Sequence, residues 1–408
     1  MNCRSCNTLL KTEFADLGFS PPSNSFLKPS DLTRPETYYP LKIMVCDHCF
    51  LVQVDEFAKH NEIFNEDYVY FSSYSTSWLA HAKNYVNQMV ERFKIDHNSK
   101  VIEIASNDGY LLQYFHEKKI PTLGIEPTKN TAEVAISKGI NTLIDFFGTS
   151  LAEKLKAQHI QADLLLGNNV LAHVPDINDF VHGLKLVLKP QGIITLEFPH
   201  LLQLILQNQF DTIYHEHFSY LSIIALEPIF IRYDLELFDI EELNTHGGSL
   251  RIYIKHAENQ DIVISDRIAE IKNKEIEFGL NSIDSYIQYQ VKINKVKDEL
   301  LQFLIEKKAQ NKTVLGYGAA AKGNTFLNFA GIRKDLIPCI VDASPHKQGK
   351  FTPGVHIPVV NEDKIKEIRP DYIIILPWNL KEEIIKQLEY VRAWNTMFVT
   401  AIPHLTII

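Results

Sequence analysis

Val101-Ile-Glu-Ile-Ala-Ser-Asn-Asp-Gly109 joins a short apolar strand to a turn of small and polar residues, and Tyr110–Glu117 continues in a helical pattern. A strand, a tight turn and a helix N-terminus together make a cradle for a nucleotide, because backbone N–H groups and the helix dipole face the bound group. The next strand, Pro121-Thr-Leu-Gly-Ile125, ends in Glu126, 23 residues after Glu103. An acid at the tip of a second strand is the usual acceptor for ribose hydroxyls. Asp163-Leu-Leu-Leu-Gly-Asn-Asn-Val-Leu-Ala-His173 then places Asn168 and His173 at the carboxyl end of an apolar strand, and Gly192–Phe198 follows the breaker Lys189-Pro190. This alternation over residues 99–200 predicts an α/β domain with a doubly wound parallel sheet.

Around that core the chain runs to 408 residues, enough for two or three domains. It is 45% hydrophobic and 22% charged, an ordinary globular balance that excludes disorder and collagen-like repeats. With 41 Lys+Arg against 50 Asp+Glu the formal charge is −9, so no long-range field attracts a phosphate backbone and nucleic acid is not an expected partner. No stretch approaches the ~20 apolar residues that span a bilayer. The first residues show no apolar signal segment, and the expectation is a cytoplasmic enzyme with no membrane association.

Four of the five cysteines form two close pairs, Cys3-x-x-Cys6 and Cys46-x-x-Cys49, separated by 39 residues. Two such turns supply four soft ligands, the set tetrahedral Zn²⁺ prefers, and four thiolates leave no open coordination position. The intervening stretch holds Pro21-Pro22, Pro29, Pro35 and Pro40 with little apolar periodicity, so a metal would act as its staple. A structural zinc module over 1–66 is expected. Cys339, alone in an apolar run, reads as a core residue. Tyr68, Tyr70, Phe71, Tyr74 and Trp78 crowd the start of the next region, followed by the amphipathic run Leu79–Phe93. That pattern fits a packing helix, or a lid whose tyrosine hydroxyls reach a ligand.

Two further clusters carry chemistry. Tyr214-His215-Glu216-His217-Phe218-Ser219-Tyr220 concentrates acid–base groups without the extra ligands a metal would need. General acid–base work is the better reading, with Glu216 orienting an imidazole and Tyr214 donating to a developing oxyanion. Asn244-Thr-His-Gly-Gly-Ser249 follows, a turn in which paired glycines admit close backbone approach. A charged helix over Tyr286–Gln310 leads to Lys312-Thr-Val-Leu-Gly-Tyr-Gly-Ala-Ala-Ala-Lys-Gly323, a second strand–glycine turn–helix. Lys322 in this turn, Lys347 and Lys350 in a later loop, and Trp378 at a strand tip point to a nucleoside-phosphate site in a second Rossmann-like domain.

The Ala105–Gly109 turn is similar to motif I of class I S-adenosylmethionine methyltransferases, with Ala105 and Asn107 where two glycines stand in the family. Taken with the paired Cys-x-x-Cys, Tyr214-His-Glu-His217-Phe-Ser-Tyr220, His246-Gly-Gly-Ser249 and Gly316-Tyr-Gly-Ala-Ala-Ala-Lys322-Gly-Asn324, essentially the whole chain resembles the sugar C-3-methyltransferases of branched deoxysugar biosynthesis. The resemblance implies a zinc-binding module (1–66), an S-adenosylmethionine domain (67–200), a catalytic bridging region (201–283) and a Rossmann-like nucleotide-sugar domain (284–408). It implies S-adenosylmethionine as cofactor and structural zinc on Cys3, Cys6, Cys46 and Cys49. The substrate would be a nucleotide-diphosphate-linked 4-keto-deoxy sugar, methylated at C-3 through an enolate. His217 would be the base, oriented by Glu216, with Tyr214 and His173 on the enolate side and Tyr70 from the family's aromatic lid. Glu103, Asn107, Asp108, Glu126, Asp145, Phe146 and Asn168 would hold the cofactor. His246, Lys322, Asn324, Lys347 and Trp378 would hold the sugar nucleotide.

Two other functions fit parts of the pattern. Gly316-x-Gly318-x-x-Ala321 with Asp342 nominally satisfies a dinucleotide fingerprint, which would make the chain an NAD-dependent oxidoreductase or epimerase, but no Tyr-x-x-x-Lys pair lies near that turn. A non-catalytic nucleotide-sugar binder would have no need of the Tyr214–His217 cluster.

Overall fold

In the computed structural model, residues 1–57 and 71–408 are described. The expected core is present as a seven-stranded sheet. Its strands are β4 (Val101–Ile104), β5 (Thr122–Ile125), β6 (Thr142–Leu143), β7 (Ala162–Asn168), β8 (Leu188–Pro199), β10 (Leu235–Leu243) and β11 (Ser249–His256), in the order β10-β11-β8-β7-β4-β5-β6. From β6 to β8 the strands are parallel, and β11 lies antiparallel to both neighbours. β4 is buried at every position, which is why it reads as an apolar run rather than an alternation. Its buried exception is Glu103.

The turn after β4 keeps the backbone path of a glycine-rich loop with a single glycine. Ala105, Asn107 and Gly109 have φ of 56°, 49° and 74°. Asparagine tolerates the left-handed region through its short polar side chain, whereas alanine meets its own Cβ there. Only Gly109 also lacks room, since a Cβ would lie 2.4 Å from Ile140 Cδ1.

A second sheet, β12 (Val314–Tyr317), β13 (Ile340–Val341), β14 (Val359–Val360), β15 (Tyr372–Ile375), β16 (Met397–Thr400) and β17 (Thr406–Ile407), forms the C-terminal lobe in the order β14-β13-β12-β15-β16-β17. All its pairings are parallel except β16–β17. The helix Tyr289–Ala309 leads into it.

The N-terminal module is a small antiparallel sheet of β1 (Thr12–Ser20), β2 (Tyr39–Val45), β3 (Val52–Val54) and β9 (Ser219–Tyr220). Its fourth strand comes from the histidine-rich segment, paired through Val52 and Tyr220. The stretch 201–283 is therefore no separate layer: β9 completes the N-terminal sheet, while β10 and β11 complete the central one. The loop between β1 and β2 reaches the C-terminal lobe, where Leu27 and Phe351 exchange backbone hydrogen bonds of 3.0 and 2.8 Å. A single apolar cluster runs from Phe14 and Ile43 through Phe210 and Phe218 to Phe326 and Val314. Packing of that kind holds the module and the C-terminal lobe as one body. Among the described residues, no helix is long and apolar enough to cross a membrane.

Candidate functional site

Cys3, Cys6, Cys46 and Cys49 come together with all four sulfurs within 4.8 Å of one another. Cys3–Cys49 and Cys6–Cys46 are each 3.5 Å apart, and Gln53 Nε2 donates to Cys3 Sγ at 3.2 Å. A tetrahedral zinc with Zn–S bonds of about 2.3 Å sets its sulfurs about 3.8 Å apart, so the set fits the ion. The Gln53 amide, bonded to the Cys3 sulfur, is of the kind that orients a metal thiolate.

One cavity of about 430 Å³ is bordered by all three parts of the chain. At one end Glu126, Asn107, Asp145, Phe146 and Asn168 line it; at the other, Lys322, Lys347 and Asn379; between them stand His173, Tyr214, Glu216, His217 and His246. Glu126 holds the first end in shape. Its Oε2 accepts from Asn107 N–H and its Oε1 from Thr128 N–H, both at 2.9 Å. Burial raises the Glu126 carboxyl above its ordinary range, against the hydrogen bonds that favour the anion. Asn168 is buried and neither atom of its side-chain amide has a protein partner. A buried amide with no partner is costly unless a ligand satisfies it. That orphan, the left-handed turn at Ala105 and Asn107, and the Glu126 carboxylate fit the amino-acid and ribose ends of S-adenosylmethionine.

In the middle, His217 Nδ1 lies 2.8 Å from Thr212 O and His173 Nδ1 lies 2.7 Å from Glu216 O. A carbonyl can only accept, so in the neutral rings both Nδ1 atoms carry hydrogen and Nε2 has the lone pair. The rings meet edge to face with centroids 4.6 Å apart, and Tyr214 lies 4.0 Å from His217. Burial pushes His217 well below the usual histidine range, assisted by His173, His246 and Lys322. Burial also lowers His173 to about 4, against its bond to Glu216. His246, lowered to about 4 by burial and Lys322, receives the Asn169 amide on Nε2 at 3.1 Å. All three histidines are thus neutral at neutral pH.

At the far end Lys322 Nζ bonds Asn379 Oδ1 at 2.7 Å and lies 4.7 Å over the Trp378 ring. Burial lowers its pKa, opposed by Asp211. Lys347 Nζ bonds Ala319 O at 2.8 Å and sits 3.6 Å from Asp342.

Several expected residues stand elsewhere. Glu103 lies off the cavity, wholly buried beneath the turn, and burial holds its carboxyl well above the usual range, helped by Glu126 and Asp108. Asp108 also turns away: it accepts from Ser73 Oγ, while Lys138 Nζ approaches its backbone carbonyl at 2.8 Å. Asn324 faces the N-terminal module, donating to Ser23 O at 2.7 Å, because the helix Ala321–Ala330 turns that position away from Lys322. Trp378 does not line the cavity; its indole donates to Asp211 at 2.8 Å, and a Cβ on Gly247 would lie 2.4 Å from its ring. Glu216 does not orient His217, whose Nδ1 is taken by Thr212; its carboxylate is held by Asn24. His215 packs away from the cavity, 3.2 Å from Pro40 O. Tyr70, with Tyr68, lies outside the described residues. The cavity also shows residues to which the sequence assigned no site role: Asn169 beside Asn168, Asn379 beside Trp378, Trp78 with its ring centroid 5.3 Å from that of His246, and Asn24 from the N-terminal module. For Asn169 and Asn379 the signal was adjacency to a named residue.

A strand-tip cradle with an orphaned amide and an acid, opening onto neutral histidines, has the form of a methyl-transfer site, and the domain models agree. "Methyltransferase domain" matches residues 78–240, "C-methyltransferase C-terminal domain" 244–403, and "Putative zinc binding domain" 3–64. The chain is 30% identical to C-methyltransferase NovU of Streptomyces niveus over 402 residues, 98% of this chain and 95% of that one. It is 29% identical over 98 residues to a ubiquinone biosynthesis O-methyltransferase of Bartonella tribocorum, covering 24% of this chain and 40% of that one. A solved S-adenosylmethionine-dependent methyltransferase from Anabaena variabilis superposes with a TM-score of 0.36 at 18% identity, over 44% of this chain and 86% of its own. This chain belongs to the C-methyltransferase family. Its methyl donor is S-adenosylmethionine, and the oxidoreductase reading of the Gly316 turn falls away.

Proposed function

We propose that the enzyme methylates C-3 of a nucleotide-diphosphate-linked 4-keto-deoxy sugar through an enolate. The observation that supports this is the continuity of the cavity from Glu126 through His173 and His217 to Lys322 and Lys347. Such a cavity brings the residues suited to a methyl donor and those suited to a phosphate-bearing acceptor to one wall, together with a histidine able to act as base. Glu126 is assigned to the ribose hydroxyls, Asn107 and Asn168 to the methionine end, and Asp145 and Phe146 to the adenine. Lys322 and Lys347 take the diphosphate, and His246 the sugar.

A hydrogen on C-3 beside a C-4 ketone is acidic enough to be removed when the enolate is stabilised. His217 Nε2 takes that proton, and the Thr212 carbonyl stabilises the imidazolium through Nδ1–H. Tyr214 and His173 sit on the enolate side. S-adenosylmethionine held by Glu126, Asn107 and Asn168 would supply the electrophilic methyl group that C-3 takes up, with its thioether as the leaving group. A diphosphate on Lys322 would also offset the positive charge that weakens His217 as a base.

The test is proton exchange and methyl transfer with thymidine- and guanosine-diphosphate 4-keto-deoxy sugars. Solvent deuterium should enter C-3 when the enzyme meets substrate without methyl donor, and one methyl group should appear at C-3 with it. Methyl transfer to oxygen, or none to any keto-sugar nucleotide, overturns the assignment.

A further inference from the structure

Asn24 belongs to the proline-rich loop of the zinc-binding module, far in sequence from the histidines and lysines of the cavity, yet it lines the cavity with them. Its side-chain nitrogen lies 2.9 Å from Glu216 Oε1 and 3.0 Å from Oε2. We propose that Asn24 is a positioning residue for the reaction: it holds the Glu216 carboxylate at the cavity wall in its ionised form. The inference rests on His217 as the base.

The chemistry of the contact favours the anion. An amide NH₂ has two hydrogens and no other polarity to offer, so it serves an acceptor-only carboxylate on both oxygens. A protonated carboxyl would have to turn its O–H elsewhere, and among the described residues no other side chain or backbone group bonds to Glu216 Oε1 or Oε2. Glu216 is buried, and burial raises its pKa to about 7, against the Asn24 bonds that lower it. Burial thus draws the carboxyl toward its neutral form and the Asn24 amide draws it toward the anion. The charged and titratable groups that share its cavity are His173, which clasps the Glu216 carbonyl, His217, His246, Tyr110, Tyr214, Glu126, Asp145, Lys322 and Lys347. Glu216 and His217 line the same cavity, so an anionic Glu216 puts a negative charge in the chamber where His217 acquires a positive one.

The loop is pinned on both sides of Asn24 by the C-terminal lobe. Ser23 Oγ pairs with Thr325 Oγ1 at 3.0 Å, Asn324 donates to Ser23 O, and Leu27 pairs with Phe351. Glu216, by contrast, lies next to β9 in the N-terminal sheet. The lobe thus helps hold Asn24 against Glu216, and the contact gives the zinc-binding module a place in the candidate site.

The experiment compares wild type with Asn24→Leu and Asn24→Asp. The Glu216 carboxyl is followed by ¹³C NMR, its resonance assigned with Glu216→Gln, and kcat/KM is measured across pH with the affinity for S-adenosylmethionine as a control. Loss of hydrogen bonds to a charged group costs roughly 10- to 100-fold, so the Glu216 midpoint should rise by about one pH unit or more. Then kcat/KM near pH 7 should fall by a similar factor and recover in part at higher pH, with cofactor affinity unchanged. A Glu216 midpoint that stays put in both variants overturns the proposal. If no keto-sugar nucleotide is turned over by wild type, the substrate assignment fails, and the NMR midpoint still decides the role of Asn24. If Asn24→Leu does not fold, the near-isosteric Asn24→Asp carries the test.

Discussion

His173 and His217 meet edge to face at 4.6 Å, and each gives its Nδ1 hydrogen to a main-chain carbonyl, of Glu216 and Thr212 respectively. The two imidazoles come from different strand-end segments, so their tautomers are fixed by the fold and not by each other. His217→Asn keeps a polar side chain of similar reach but removes the basic nitrogen. It should lower kcat by ~10²–10⁴, the usual contribution of a general base. Titration calorimetry should find S-adenosylmethionine affinity within about twofold of wild type; a variant with more than half the normal rate would remove His217 from the mechanism.

Lys322 is the cation in the acceptor half whose ammonium is fixed by both a ring face and an amide, Trp378 and Asn379. Lys322→Met keeps the stem over the indole and deletes the charge. The KM for the sugar nucleotide should rise roughly 10- to 100-fold, the value of a charge-assisted hydrogen bond, while cofactor affinity holds. Loss of cofactor binding instead would place Lys322 at the wrong end.

The zinc cluster carries more than its own loop. Cys3, Cys46, Leu10 and Leu51 pack in the same apolar cluster as Ile102 and Leu165 of the central sheet. Cys49→Ser trades a thiolate for a poor zinc ligand. Elemental analysis should find about one zinc per wild-type chain and clearly less in the variant, and the thermal transition should drop. A variant that keeps full zinc and stability would show that the four sulfurs are not the metal's ligands.

What the sequence made legible was local. The β4 turn, the acid after β5 and the four cysteines each depend on spacing within a few residues or on ligand type alone, and their positions follow. The misplaced residues share another trait: each depends on the direction of a side chain. Asn324 is two residues from Lys322 on a helix, a separation that sends side chains to different faces. Asp108 is adjacent to Asn107 in a turn where successive residues face opposite ways, one toward the cavity and one toward Ser73 and Lys138. Asn24 meets Glu216 across 192 positions, a contact that no local pattern encodes.

Ala105 sits at φ 56° without the glycine that this conformation favours. Left-handed backbone costs an ordinary residue ~1–2 kcal/mol, and glycine avoids it at an unfolded-state entropy cost of ~0.4–1 kcal/mol. Ala105→Gly should therefore stabilise the central domain by about 0.5–1 kcal/mol, seen as a higher denaturation midpoint with unchanged cofactor affinity. A lower midpoint would mean that the Ala105 methyl group contributes more by packing than it costs by strain.

His246 gives a linkage test with a defined sign. Its folded pKa of about 4 lies below the unfolded value of ~6.5, so the unfolded chain binds this proton more readily. The stability it contributes is full above pH ~6.5 and is lost as pH falls toward 4. Glu216 and Asp211, raised by burial to about 7 and about 6, act in the opposite sense over the same window, so the whole protein's pH profile mixes both. A difference measurement isolates the histidine. His246→Gln keeps an acceptor for Asn169 and cannot titrate, so the gap between wild type and variant should shift in the variant's favour by up to about 3 kcal/mol between pH 6.5 and 4. Chemical denaturation at several pH values reads this gap directly. A gap independent of pH would mean that His246 protonates as easily in the fold as out of it, and that the cavity admits water enough to hold the cation.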